Sequence, residues 1–241
     1  GPASVFARSI GNRYDHPDRQ LSLSASVTLA DITTDPDVVE MFFGSGVALG
    51  GYAWVIPRGP TEANVGLGLR SWFSNPSMAP RDYLQGLVRQ HPQIAPRMRG
   101  GSVIRNIEAL IPVSGPVKTT ATDSVLLVGD AAGHVMASNG GGIPTAVMGG
   151  EIAAETIVAH METNRPLTDY ERAWRREFGQ VLDTALAIRM IADEVMADDA
   201  VTEVCMSLAR SRFLEPLIRC RLPVLVDLVS KTLVRVLGLA V

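Results

Sequence analysis

Cysteine is scarce in this chain: Cys205 and Cys220 are the only two among 241 residues. Their spacing matches neither a redox pair nor a zinc ligand set, so both are expected to be buried apolar residues in a reducing compartment. An excess of one charge is lacking too. Lys and Arg number 22 and Asp and Glu 25, interspersed, for a net charge of −3. That excludes the basic footprint of a nucleic-acid binder. No repeat and no low-complexity tract occurs. Residues 1–20 are polar and charged, so no signal peptide is expected there. Long charge-free apolar runs are also missing. The most apolar segment, Leu222–Val241, carries Asp227, Lys231 and Arg235 on one stripe, which argues against a membrane span.

What is present is enough apolar material for a sizeable core: 46% of the residues are hydrophobic, in a length that suits one large domain or two small ones. Residues 1–20 read as a turn and a short helix or loop. Four runs with strand character follow, at 21–32, 37–46, 50–59 and 63–70, separated by turn-like "TTDP", "ALG" and "PTE". Four strands in tight succession predict an antiparallel meander. Residues 80–98 have helical spacing limited by Pro92 and Pro96, and 101–115 return to strand. The run "SVLLVGD" is short and wholly apolar, as in a strand buried on both faces of a parallel sheet. A glycine-rich turn and a helix to about His160 follow it.

Pro166 stops that helix. Thr168 and Glu171 form a T-x-x-E capping pattern. Tyr170, Trp174, Phe178, Val181, Leu182, Ala185, Ile188 and Ile191 then supply one apolar face. The expected organisation is therefore 1–20, 21–115, 116–165 and a helical region 166–241. The fold class is α+β. One buried parallel strand without neighbours suggests that a parallel-sheet domain is incomplete in these residues.

The densest signal is "LLVGDAAGHVMASNGGGIPTAVMGG", residues 126–150. Gly129 allows close backbone approach to a ligand. Asp130 can accept hydrogen bonds from sugar or ribitol hydroxyls. The helix opened by Gly140, Gly141 and Gly142 presents free N–H groups and a positive dipole end, suited to a phosphate or an electron-rich ring oxygen. Gly149, Gly150, Ala153 and Ala154 allow that helix to pack tightly on a sheet.

Gly129-Asp130-Ala131-Ala132-Gly133 resembles the second FAD motif of flavoproteins with the hydroxylase-type fold. The resemblance implies that Gly129, Asp130, Ala131, Gly133, Gly141, Gly142 and Ile143 contact the flavin cofactor. In that superfamily G-x-G-x-x-G stands at the front of the chain, and it is absent from these 241 residues. The opening "GPASVFARSIG" resembles the superfamily's middle motif, so the chain is expected to be the C-terminal part of a longer flavoprotein. Alone, it is expected to bind FAD weakly or not at all.

"GYAWVIPRGPTEANVGLGL", 51–69, resembles the geranylgeranyl reductase family, in which a Y-x-W-x-x-P segment lines the substrate cavity and leads into N-V-G-x-G. "GDAAGHVMASNGGGIPTAVMGGEIAAE" resembles its archaeal members, which reduce prenyl chains of digeranylgeranyl glycerophospholipids. The resemblance covers most of residues 1–160 and fades beyond. Ile56 departs from it, standing where members often have an aromatic residue. It implies FAD as cofactor, a prenylated lipid as substrate, and Tyr52, Trp54 and Pro57 as substrate-contacting residues. Tyr52, Trp54 and Ile56 share one strand face, either as a cavity wall or as ordinary sheet core.

The electron donor stays open among ferredoxin, a reduced nicotinamide and a deazaflavin. No proton donor is assigned. His134 is a candidate, against the alternative of a histidine at the surface or at the helix start. A flavin monooxygenase of the same fold and a non-catalytic lipid-binding fragment are the competing readings. Leu222–Val241 suits either a helix buried against the protein or one lying on a membrane surface, with Arg219 and Arg221 near lipid headgroups. The implied location is cytoplasmic, peripheral on the inner face of the cell membrane.

Overall fold

In the computed structural model, residues 1–12, 21–75 and 77–208 are described. They fall into two compact units. One comprises Leu21–Leu110 with Asp193–Ser207; the other comprises the described residues before 13 with Ile111–Ala192. The reading of Leu222–Val241, and of Arg219 and Arg221, lies outside the described residues.

The first unit is built on five strands: β1 (Leu21–Ala30), β2 (Glu40–Phe42), β3 (Tyr52–Gly59), β4 (Glu62–Arg70) and β5 (Ser102–Pro112). Their order is β2-β3-β4-β1-β5. This corrects the expected meander. Strands β2, β3 and β4 do follow one another, but β1 pairs antiparallel with β4, Val27 opposite Val65. The reason is apolar matching. Ala25, Val27 and Leu29 face the same side as Ala63, Val65, Leu67 and Leu69, and all are buried. Pairing these two long strands builds the widest apolar sheet face.

Two helices cover that face, α2 (Pro80–Gln90) and α3 (Ala95–Met98). Pro80 stands in the first turn of α2, where its missing N–H costs nothing. The Asp82 carboxylate reaches back to accept from the Ala79 N–H at 3.0 Å. Leu84, Leu87, Ile94 and Met98 pack on Val55, Val65 and Leu67. Each such buried aliphatic side chain contributes roughly 1.5–3 kcal/mol. The expected break at Pro92 is present: α2 ends at Gln90 and α3 begins at Ala95.

The second unit holds α1 (Val5–Ser9), a 3-10 turn at Gly129–Ala131, α4 (Ile143–Thr163), α5 (Asp169–Trp174) and most of α6 (Gln180–Val195). A further helix, α7 (Asp199–Leu208), begins within the first unit. The expected parallel strand at 124–128 is corrected. Ala121 and Leu126 form an antiparallel bridge, the Leu127 N–H donates to the Thr120 carbonyl at 2.8 Å, and the Thr122 N–H donates to Val125 at 2.8 Å. The apolar run is the return arm of a tight hairpin. Among the described residues no parallel neighbour pairs with it, and the chain satisfies its amides locally instead.

Helix α4 starts after Gly142 and ends at Asn164, whose φ of 56° is the left-handed stop that Asn tolerates. Helix α5 starts where Thr168 predicted, but the capping box does not form. Thr168 makes no side-chain cap, and Glu171 instead accepts from the Thr120 N–H and hydroxyl at 3.4 and 3.2 Å. A π-helical turn, Arg175–Gly179, separates α5 from α6. Its extra residue rotates the following face. Tyr170, Trp174, Phe178, Leu182 and Ala185 are buried, whereas Val181 and Ile191 are left partly exposed.

Candidate active site

The face of the sheet turned away from α2 is unlike its apolar face. By register, Tyr52 stands opposite Gly68 and Gly68 opposite Ser24. Trp54 stands opposite Gly66 and Gly66 opposite Ser26. Ile56 stands opposite Asn64 and Asn64 opposite Thr28. Two rows therefore read aromatic, glycine, serine across three strands. This accounts for the glycine facing the tryptophan of Y-x-W: Gly66 lies where the Trp54 ring needs room. A Cβ on Gly66 would lie 2.3 Å from the Trp54 ring, so the indole rests on bare backbone.

Trp54 is only partly exposed. Its Nε1–H donates to Asn64 Oδ1 at 2.8 Å, and Asn64 Nδ2 donates to the Thr28 hydroxyl at 3.4 Å. Phe43, Tyr52 and Trp54 form an aromatic file with ring centroids 6.0 and 5.7 Å apart. Ile56 continues the Tyr52–Trp54 face and is exposed. Pro57 is placed differently. It pairs with Ala63, on the face of Ala53 and Val55, just before the irregularity at Gly59. Tyr52 and Trp54 are thus brought together, and Pro57 is not on their face.

At the end of the same face Arg70, opposite Ser22, is buried and pairs with Asp193 at 3.3 Å. Burial pushes the guanidinium below its ordinary value, and Asp193 opposes that shift. Burial raises the Tyr52 phenol, with the Arg70 charge acting the other way. Phe43, Arg70 and the serine file are not marked by any sequence motif. Only the alternation in "LSLSASVT" hinted at the last, with Ser22, Ser24, Ser26 and Thr28 on one side and Leu23, Ala25 and Val27 on the other.

In the other unit the glycine stretch forms a tight loop on α4. Gly129, Gly133 and Gly140 have φ of 61°, 69° and 72°, a region that side chains resist. A Cβ on Gly133 would meet the Gly115 carbonyl at 2.5 Å, and one on Gly129 would meet Ala146 at 3.3 Å. The Asp130 carboxylate lies beside Gly142, 3.5 Å from where a Cβ there would stand. Asp130 is half-buried, and that burial raises its carboxyl above the ordinary range. Gly142 has no side chain to cap α4, while the Gly141 N–H is taken by Asn139 Oδ1 at 2.8 Å. Ile143, at the first position of α4, is 81% exposed. Ala131 lines a shallow groove of about 340 Å³ with Ser4, Phe6, Val125 and Leu127.

His134 corrects the expectation of a surface or helix-start histidine. It is fully buried, with its ring centroid 4.5 Å from that of Trp174 and 5.1 Å from that of Phe178. Neither ring nitrogen has a hydrogen-bond partner. Burial, aided by the Arg175 charge, lowers its pKa to about 4 and holds it neutral. Its main chain does the positioning: the N–H donates to Gly129 at 3.0 Å, and the carbonyl accepts from the Thr145 hydroxyl at 2.5 Å. From beneath, Tyr170 donates to the Leu127 carbonyl at 2.9 Å and Trp174 Nε1 to the Thr120 hydroxyl at 3.0 Å. A carboxylate, small residues and an uncapped helix start, held rigidly, can bind a hydroxyl-rich anionic or electron-rich ligand.

Residues 21–110 match the family described as geranylgeranyl reductase catalytic domain. Digeranylgeranylglycerophospholipid reductase 2 of Methanothermobacter thermautotrophicus is 36% identical over 197 residues, covering 80% of this chain and 49% of the relative. The corresponding reductase of Methanocaldococcus jannaschii is 34% identical, covering 73% and 44%. The chain spans about half the length of these curated relatives. Among solved structures, a geranylgeranyl bacteriochlorophyll reductase-like protein from Thermoplasma acidophilum superposes with a TM-score of 0.71 at 26% identity, covering 84% of this chain and 51% of that one. A mutant of the halogenase PltM in complex with FAD superposes at 0.60 with 15% identity, a likeness of fold alone, over 83% and 44%. A Y-x-W strand facing a G-x-G strand lies within residues 21–110, which match the geranylgeranyl reductase catalytic domain, and the chain is similar to digeranylgeranylglycerophospholipid reductases over 73–80% of its length.

Proposed function

We propose that this chain carries the substrate wall and part of the flavin site of an FAD-dependent reductase. Its substrate would be the geranylgeranyl chains of archaeal-type membrane glycerophospholipid precursors, whose C=C bonds it saturates. The observation that carries the reading is the aromatic–glycine–serine face. The indole of Trp54 lies on the bare backbone of Gly66, with the Tyr52 ring beside it at 5.7 Å, which makes a flat wall for a long unsaturated chain. The names of the relatives supply the substrate class.

The glycine loop fits FAD. Its Asp130 carboxylate lies beside the start of α4, where a Cβ on Gly142 would crowd Val135 at 3.1 Å. Asp130 would accept from ribitol hydroxyls. The first N–H groups of α4, at Gly142 and Ile143, would face the electron-rich edge of the ring system. Gly129, Ala131, Gly133 and Gly141 would keep the approach clear of side chains. When bound and reduced, FAD supplies the hydride. The residues of this chain orient the cofactor and present a dry wall to the alkene. Ferredoxin, a reduced nicotinamide or a deazaflavin would supply the electrons. We place the protein in the cytoplasm, peripheral on the inner face of the cell membrane.

The test is to purify the gene product that contains these residues, reduce it with dithionite under argon, and supply a digeranylgeranyl glycerolipid. Mass spectrometry should show two hydrogens added per double bond. Unchanged lipid, together with substrate-stimulated oxygen uptake in air, would replace this reading with the monooxygenase.

A further inference from the structure

The hydrogen-bond chain beneath Trp54 does more than pack a ring. An indole N–H can only donate. The Asn64 atom 2.8 Å away is therefore the amide oxygen, and the amide nitrogen is left to meet the Thr28 hydroxyl at 3.4 Å. Thr28 is buried, so its hydroxyl is committed to the sheet. The chain crosses β3, β4 and β1 along one face. Gly66 sets the other limit: a Cβ there would lie 2.3 Å from Cζ2 and 2.5 Å from Cε2 of the indole. The ring is seated against the sheet backbone and held by its nitrogen. Its polar edge is turned inward, so the partly exposed remainder of the ring is carbon.

We propose that Asn64 and Gly66 determine substrate specificity by fixing the height of Trp54 and hiding its N–H, so that the wall selects a methyl-branched polyene chain. The role rests on the prenyl-wall reading above. Asn64 acts through Trp54 and is a positioning residue. Without its oxygen the indole N–H must find water or another acceptor, the ring leaves its seat, and the wall acquires a donor that an apolar chain cannot satisfy. Gly66 supplies the depth: any side chain there lifts the ring and narrows the space above it.

The test labels the 241-residue chain with 5-fluorotryptophan, giving one fluorine signal each for Trp54, Trp72 and Trp174. Trp54→Phe assigns the first. Geranylgeraniol and the linear eicosanol, each in detergent micelles, are the probes. In the parent chain geranylgeraniol should move the Trp54 signal at lower concentration than eicosanol. Asn64→Leu should broaden or shift that signal without any probe and weaken geranylgeraniol binding about tenfold, the effect of one unsatisfied buried donor. Asn64→Asp, which keeps an oxygen for the indole, should retain the preference. In Trp54→Phe, which has no N–H, adding Asn64→Leu should change nothing further; this pair also serves if Asn64→Leu alone folds poorly. An undisturbed Trp54 signal and unchanged affinities in Asn64→Leu overturn the clamp and leave the prenyl wall standing. A parent chain whose Trp54 signal ignores geranylgeraniol, while Asn64→Leu still disturbs it, overturns the prenyl wall and the specificity role together.

Discussion

Trp54 and Gly66 occupy one space: the indole of the first lies where the side chain of the second would be, 2.3 Å from the would-be Cβ. The two strands pair residue for residue at this point, so the ring cannot slide along β4 to escape a larger neighbour.

Gly66→Ala should destabilise the protein by about 1–3 kcal/mol, the usual penalty for overpacking a tight site. Gly86 is the internal control. It lies inside α2 with nothing near its missing Cβ, and Gly86→Ala should stabilise by about 0.5–1 kcal/mol through helix propensity. Urea unfolding of both variants checks the pair. Equal midpoints would mean that the indole yields without cost.

His134 should make stability fall on mild acidification. Its pKa is about 4 in the folded protein against an ordinary value of about 6.5 when unfolded. The unfolded chain therefore binds the extra proton first. The contribution is full above pH 6.5, declines as the pH falls toward 4, and amounts to about 3 kcal/mol at most. His134→Leu should remove this part of the slope between pH 6.5 and 4. Denaturant midpoints for both proteins at pH 7 and 5 measure it, and parallel losses would place the proton elsewhere.

Arg70 and Asp193 form a buried pair with side chains 6% and 13% exposed. Arg70→Met should cost about 1.5–3 kcal/mol, because it removes a charge-assisted hydrogen bond from a largely buried carboxylate. Replacing both, Arg70→Met with Asp193→Leu, should recover most of that loss. A double variant no better than the single one would show that the pair itself carries the stability.

Much of this was legible from local pattern. The glycine loop and the Y-x-W strand announced themselves because backbone clearance and strand alternation leave short-range marks. So did α2, broken at Pro92, and α4, opened by glycines. What depends on long-range pairing was not legible. Nothing near Leu21–Ala30 says that it pairs with β4 and not with its successor, because only the matched apolar faces of two distant strands decide it. The Asn64–Trp54 and Arg70–Asp193 contacts join residues 10 and 123 positions apart. His134 misled because its neighbours in sequence are polar or small, while its neighbours in space are Trp174 and Phe178 from α5 and the π-helical turn. The T-x-x-E signature failed because Thr120 competed successfully for the Glu171 carboxylate.

The last prediction concerns the segment Leu222–Val241. Among the described residues no helix is long and apolar enough to cross a membrane. The segment itself, as one helix, would measure about 30 Å, with Asp227, Lys231 and Arg235 four residues apart on one stripe. Charges repeated on one side, with Leu and Val on the others, suit a helix lying in the headgroup region better than one crossing the bilayer, where each charge costs about 2.5–3.5 kcal/mol. Arg219 and Arg221 precede it, so binding should strengthen with anionic lipid and weaken in salt. Flotation with anionic liposomes should therefore carry the full chain upward, and deletion of residues 222–241 should leave it at the bottom of the gradient. If both float equally, the membrane contact lies elsewhere.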